Sequence, residues 1–317
     1  MVEPRIAVVG ATGAVGAVTL RLLKERGYGH VRAFASSRSV GKELDGGLVV
    51  EEATPEALAA GDIDLALFSV GTSASRELVP HAVRGGAIAV DKSAAYRLQD
   101  GIPLVVPEVN GDRALEHDGI LANPNCCTIP LTMVLAPLRD AAGLRSVRVA
   151  TYQSVSGAGS EAIEDLRAEE PDDHLLRMDW EFDGVEYDEE VKLREEARKI
   201  LELPELPVSA TCVRVPVVVG HAEAVWIETK EQLTPSDAER VLSEAPGLQL
   251  QKLPAHGHAI GLDDVLVGRV RSDPAVENGL VLFLVCDNLR KGAALNAIQI
   301  AELLVGAAVP THFGHRA

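Results

Sequence analysis

A chain of 317 residues that is 47% apolar and 24% charged is too long for a single core and too apolar to be disordered. Its formal charge of −17, without any basic tract, argues against a phosphate-backbone binder, so no nucleic-acid partner is expected. No apolar run is long enough to span a bilayer, and the cysteines show neither C-x-x-C nor zinc-type spacing, so neither a membrane partner nor a metal is expected.

Residues 5 to 125 alternate short apolar runs with helix-compatible segments. Ile6–Val9, Val31–Ala35, Leu65–Val70, Ala87–Val90 and Leu104–Val106 read as buried strands, and Val15–Glu25 carries helical apolar spacing. This alternation predicts an α/β fold whose N-terminal part is a Rossmann-type, doubly wound parallel sheet. Met1 leads into the first run without an apolar leader, and with this cysteine usage a reduced, cytoplasmic setting is expected.

After Asn125 the runs lengthen: Val147–Val155, Val208–Val219, Ala224–Thr229, Val265–Arg271 and Leu280–Cys286. They predict a second domain of α+β type with a mostly antiparallel sheet. The charged stretch Glu161–Glu202 interrupts them; Glu189–Leu203 within it reads as an amphipathic helix and Pro171–Asp183 as a loop. Lys291–Val305 is helical in pattern. The expected division is residues 1–125, completed by a C-terminal helix at 290–317, and residues 126–289.

The first run ends in Gly10-Ala-Thr-Gly13-Ala-Val-Gly16, opening a helix. Glycines there allow a tight turn and close approach of backbone to a pyrophosphate, which the helix N-terminus stabilises. Gly10, Thr12, Gly13, Ala14, Val15 and Gly16 are therefore candidate cofactor contacts, the alternative being a merely structural turn. About 20 residues further on, an NAD site usually presents an acidic side chain. This chain offers Ser36, Ser37, Arg38 and Ser39, which suit the 2′-phosphate of NADP unless they form only a solvated turn. Gly71 and Thr72 follow the third run and are further candidate cofactor contacts by the resemblance described below.

Asn123-Pro-Asn125-Cys126-Cys127-Thr-Ile-Pro130 carries the chemistry. Pro130 fits a first helical turn, so both cysteines lie at a helix N-terminus, where a thiolate is stabilised. Taken alone, two small buried hydrophobes would be the commoner outcome.

This stretch resembles the active-site motif of the aspartate-semialdehyde dehydrogenases. The resemblance extends through Ser93-Ala-Ala-Tyr-Arg97, Val106-Pro-Glu-Val-Asn110, Thr151-Tyr-Gln-Ser-Val-Ser-Gly-Ala-Gly159, Arg214-Val-Pro-Val217, Gly220-His-Ala-Glu223, Val267-Gly-Arg-Val-Arg271 and Asp287-Asn-Leu-Arg-Lys-Gly-Ala-Ala-Leu-Asn296. It implies Cys126 as nucleophile, His221 as acid/base and Gln153 as the residue positioning the reacting centre. It further implies Arg214 on the substrate carboxylate, Glu189 on its ammonium, and Lys192, Arg97 and Asn125 on phosphate. Ser156, Gly157 and Asn288 would join the cofactor contacts. NADP, a small-molecule substrate and a homodimer formed through the second domain are likewise implied. The implied reaction converts L-4-aspartyl phosphate and NADPH into L-aspartate 4-semialdehyde and phosphate.

Cys127 stands where the family usually has serine, Lys92 where it often has asparagine, and Gly71-Thr-Ser73 replaces a common double glycine. Two rivals remain. N-acetyl-glutamyl-phosphate reductases typically show N-P-G-C, against Asn125 here, and lack a free ammonium for Glu189 to meet. A non-catalytic nucleotide-binding paralogue would have lost Cys126 or His221. An ordinary reading of Glu189 and Lys192 is a surface ion pair on one helix face.

Overall fold

The computed structural model describes residues 3–159, 162–164, 166 and 178–305. The chain forms two compact units, one built from residues up to Pro124 and from Ala293 onward, the other from Asn125 to Gly292. The break falls inside the nucleophile motif.

The first unit holds a sheet of β1 (Ile6–Val9), β2 (Val31–Ala35), β3 (Glu43–Leu44), β4 (Leu48–Glu52), β5 (Leu65–Phe68), β6 (Ile88–Asp91) and β7 (Ile120–Ala122). Their order is β3-β4-β2-β1-β5-β6-β7. Every pairing is parallel except the β3–β4 edge hairpin. The chain leaves β1 toward β2 and returns on the other side as β5. The crevice at the ends of β1 and β5 is therefore the topological switch point, where doubly wound sheets bind ligands. The connecting helices are α1 (Ala14–Glu25), α2 (Pro55–Leu58), α3 (Thr72–Arg84) and α4 (Pro107–Asn110).

Leu104–Val106 is not a strand; it makes a single parallel bridge from Leu104 to Ala122, and Ile120–Ala122 takes the edge position. The Asn110 side chain explains this. It accepts from the Val106 N–H at 2.9 Å and donates to the Leu104 carbonyl at 2.9 Å, leaving neither group for a ladder.

After Gly292 the chain returns to the first unit in a π-helical turn, Arg290–Ala294, continuing into a regular helix over Leu295–Val305. Leu295, Ile298 and Ile300 enter the core shared by Ile6, Val8, Leu65 and Leu67. Complete burial of each stabilises the docked helix by about 2 kcal/mol. The expected helix past Val305 lies outside the described residues.

The second unit contains β8 (Leu144–Gln153), β9 (Val208–Arg214), β10 (His221–Thr229), β11 (Leu248–Leu250), β12 (Val265–Ser272) and β13 (Gly279–Cys286), in the order β11-β12-β13-β10-β8-β9. The central pairings are antiparallel, while β8–β9 and β11–β12 are parallel. α5 (Thr128–Ala142), α6 (Asp188–Leu201) and α7 (Pro235–Glu244) accompany the sheet. Glu202 takes a left-handed φ of 57° and stops α6 short of Leu203. Of the expected Pro171–Asp183 loop, residues 171–177 lie outside the described residues.

Val208–Val219 is not one strand. β9 ends at Arg214, just before Pro216, which has no N–H for a ladder, and Gly220 turns with φ +101° into β10. Arg214 and His221 thus belong to different strands, with β8 between them. Among the described residues no helix is long and apolar enough to cross a membrane.

Candidate active site

Strand direction assembles the site. Gln153 ends β8 and is in register with Arg214, which ends β9; antiparallel β10 begins at the same edge with His221, next to the Ala222–Tyr152 pair. Cys126 lies just ahead of α5, whose N-cap is Cys127 and whose third residue is Pro130, where an N–H would have no helical acceptor.

The Cys126 Sγ lies 3.1 Å from Nε2 of His221. On the other side of the ring, the Ser154 backbone N–H donates to Nδ1 at 3.0 Å. A backbone N–H can only donate, so Nδ1 is unprotonated and the ring proton resides on Nε2, aimed at sulfur. Sulfur must then accept, which is the thiolate's role. Asn288 fixes the surroundings: its Oδ1 accepts from Ser154 Oγ at 3.0 Å and from the Gly220 N–H at 2.8 Å, and its Nδ2 donates to Ser156 Oγ at 3.0 Å. Ser156, Gly157 and Asn288, expected as cofactor contacts, therefore lie in the second unit around the histidine.

The neighbouring Cys127 thiol, followed by His221 and Arg214, holds the Cys126 thiol well below its ordinary range against the opposing effect of burial. Cys127 itself is fully buried, and desolvation pushes it well up. The two adjacent thiols are thus driven in opposite directions, Cys126 toward the thiolate and Cys127 toward the thiol. Asn125 Oδ1 fixes the bend between them by accepting from the Cys127 N–H at 2.8 Å.

Glu189, near the start of α6, is buried rather than on a surface face. Its Oε1 accepts from Asn125 Nδ2 at 2.9 Å and from Gln153 Nε2 at 3.2 Å. Lys192 stands 3.4 Å from Glu189 but 2.7 Å from Asp188, so the surface-pair reading fits Asp188–Lys192 better. Glu196 anchors the loop by accepting from the Asn125 N–H at 2.7 Å. Arg214 is buried and donates from Nη1 to the Ser154 carbonyl at 3.0 Å.

Sequence reasoning passed over Glu223. It is completely buried two residues along β10 from His221, where the Cys127 thiol is the donor beside its carboxylate. Desolvation pushes its pKa well above the ordinary carboxylate value, and the charge of Cys126 adds to this. The available signal was strand alternation, which puts residues two apart on one face.

The remaining candidates lie in the first unit. A Cβ on Gly10 would stand 2.3 Å from the Ser69 carbonyl oxygen, and one on Gly16 would stand 2.1 Å from that of Gly10. Only glycine lets β1, β5 and α1 approach this closely. Gly13 caps α1, placing Thr12, Ala14 and Val15 at a helix N-terminus suited to a pyrophosphate, and Gly71 caps α3, which begins at Thr72. Ser36, Ser37 and Arg38 are exposed after β2, and Ser39 is half-buried. Arg97 is buried, donating to the carbonyls of Asn123 at 3.0 Å and Lys92 at 2.6 Å. Lys92 donates to Ser69 Oγ at 2.8 Å, and desolvation pushes its pKa down to about 7.

The family model described as semialdehyde dehydrogenase, NAD binding domain, matches residues 5–117, and the semialdehyde dehydrogenase dimerisation domain matches 135–179 and 175–291. Aspartate-semialdehyde dehydrogenase of Bacillus subtilis is 41% identical, over 94% of this chain and 96% of its own. That of Corynebacterium glutamicum is 44% identical, over 95% and 99%. The crystal structure of aspartate semialdehyde dehydrogenase II from Vibrio cholerae superimposes with a TM-score of 0.92 at 38% identity, covering 97% of this chain and 100% of that one. The same Vibrio enzyme has also been solved complexed with ASA. The Candida albicans enzyme with NADP gives a TM-score of 0.77 at 25% identity, over 97% and 100%. With Cys126, His221 and the glycine turn arranged as above, and with these matches over nearly its whole length, the chain belongs to the aspartate-semialdehyde dehydrogenase family.

Proposed function

We propose that the protein catalyses the reversible, NADPH-dependent reduction of L-4-aspartyl phosphate to L-aspartate 4-semialdehyde with release of phosphate, in the synthesis of lysine, threonine and methionine. The observation that carries this reading is the 3.1 Å Cys126–His221 contact in the same unit as a buried guanidinium, Arg214, and a buried carboxylate, Glu189. Those two charges complement an α-carboxylate and an α-ammonium.

In this reading the Cys126 thiolate attacks the acyl carbon; a C–S bond forms, the C–O bond to phosphate breaks, and phosphate leaves with the bonding pair. A bound nicotinamide dinucleotide supplies the hydride that reduces the resulting thioester. His221 gives its Nε2 proton to the oxygen that gathers negative charge; on collapse the proton returns to Nε2, the C–S bond breaks with its electron pair going back to Cys126 as thiolate, and the aldehyde leaves. Arg214 and Glu189 orient the amino-acid end, Gln153 the reacting carbonyl, and Asn125 and Lys192 the phosphate.

NADP is the preferred form in this reading, because the exposed Arg38 has no acidic partner among the described residues and lies among serine hydroxyls at the end of β2. The match to a dimerisation domain supports a homodimer formed through the second unit. The four cysteines are free thiols, which suits a reducing cytoplasm.

The test is NADPH formation from aspartate semialdehyde, with and without phosphate, for the native chain and for Cys126→Ala. Phosphate-dependent turnover lost in the variant is the expected result. Turnover surviving in it rejects the nucleophile, and turnover of the N-acetylglutamyl aldehyde alone favours the related reductase.

A further inference from the structure

The guanidinium assigned above to the substrate already holds a carboxylate. Arg214 Nη2 donates to Asp179 Oδ1 at 2.9 Å and Nε donates to Asp179 Oδ2 at 3.1 Å, the two-pronged geometry an α-carboxylate would use. Trp180, the next residue, lies against the guanidinium with 4.6 Å from Cζ to the ring centroid. Nη1 donates to the Ser154 carbonyl at 3.0 Å, so three of the five guanidinium N–H groups are already engaged. The two partners differ in exposure, 5% for the Arg214 side chain and 36% for Asp179. The acid is the member that can leave. This guanidinium also borders the reaction centre, since a Cβ on Gly157 would stand 3.0 Å from Arg214 Nη1 and 3.3 Å from His221 Nε2.

We propose that Asp179 is an internal stand-in for the substrate carboxylate, occupying the Arg214 fork in the free enzyme and giving it up when substrate binds. The proposal rests on the reading of Arg214 as the carboxylate clamp. Without a resident anion, Arg214 would be a buried, partly unpaired cation, which is costly. A tethered carboxylate competes at an effective concentration on the order of millimolar, and the apparent affinity for substrate falls by the fraction of time the fork is open. A phosphate or simple carboxylate gains little by replacing one charge-assisted pair with another. A ligand that also brings an ammonium to Glu189 gains a second contact. The stand-in therefore sharpens selection for α-amino acids.

L-2-aminobutyrate, which carries both charged groups and no reactive carbonyl, is the probe. Its affinity is measured by calorimetry for the full chain, Asp179→Asn and Arg214→Ala. Emission is followed in a Trp226→Phe background, where Trp180 is the remaining indole of the chain's two. Several-fold tighter binding to Asp179→Asn, with a change in Trp180 emission on saturation of the Asp179-containing protein, is expected. Binding weakened in Arg214→Ala but no tighter in Asp179→Asn, or a silent Trp180, overturns the stand-in alone. Unchanged binding in Arg214→Ala overturns the clamp reading beneath it.

Discussion

Nε2 of His221 faces the Cys126 sulfur at 3.1 Å while its Nδ1 takes the backbone proton of Ser154 at 3.0 Å. The ring is thereby locked in the tautomer that donates from Nε2 to sulfur, the form the proposed acid/base role requires. His221→Ala should reduce kcat by roughly 10²- to 10⁴-fold, the usual contribution of a positioned acid/base, with a smaller change in KM. Steady-state kinetics decide it; a change confined to KM would assign the residue to binding.

The thiolate depends first on Cys127. The rate of Cys126 alkylation by iodoacetamide should show its inflection below the ordinary thiol range. Cys127→Ala should move that inflection to higher pH, whereas Cys127→Ser, which keeps a donor, should move it less. Coincident profiles for all three proteins would show that Cys127 only fills space.

Glu223 binds its proton more tightly folded than unfolded, because burial raises its pKa. Between the unfolded carboxylate value and the raised one, the folded state holds the extra proton, so this group's stabilisation is complete at low pH and is lost as pH rises. Glu223→Gln, neutral at every pH, removes that slope. The Tm difference between variant and parent should shift in the variant's favour from pH 5 to pH 8. A constant difference would mean that the buried carboxyl ionises freely.

Lys92 has the opposite linkage. With its pKa pushed down to about 7 by desolvation, the unfolded chain holds the extra proton above pH 7, so stability from this group grows as pH rises toward the free lysine value. Lys92→Asn should therefore stabilise the protein most below pH 7, with an advantage that shrinks on the alkaline side. Urea unfolding at pH 6 and pH 9 measures it, and an equal advantage at both contradicts the assignment.

Gly157→Ala would press a methyl group against His221 and Arg214 at 3.0 to 3.3 Å. A displacement of a few tenths of an ångström at reacting groups should lower kcat/KM on the order of tenfold, with little effect on Tm. Unchanged kinetics would show that the two side chains yield freely.

Legibility followed the range of the interactions. The β1–α1 glycine turn, the helix that begins beside Cys126 and the alternation of the first domain are local patterns, and each recurs in the structure where the residues place it. Leu104–Val106 failed because the Asn110 side chain captured two backbone groups, a competition that apolar patterning does not register. Val208–Val219 failed because Pro216 and Gly220 break a run whose composition stays β-like.

The sequence by itself determined the family, the candidate nucleophile and the list of charged groups, because motif spacing and residue chemistry are written along the chain. Tertiary structure alone decided that Arg214 and His221 reach one edge of the sheet from separate strands, that Ser154 sets the histidine tautomer, and that Glu223 is buried beside the Cys127 thiol. It also placed Asp179 in the fork of Arg214. Strand order and burial arise from contacts between distant segments, and a sequence pattern does not specify which polar groups lose water or which partner they then find.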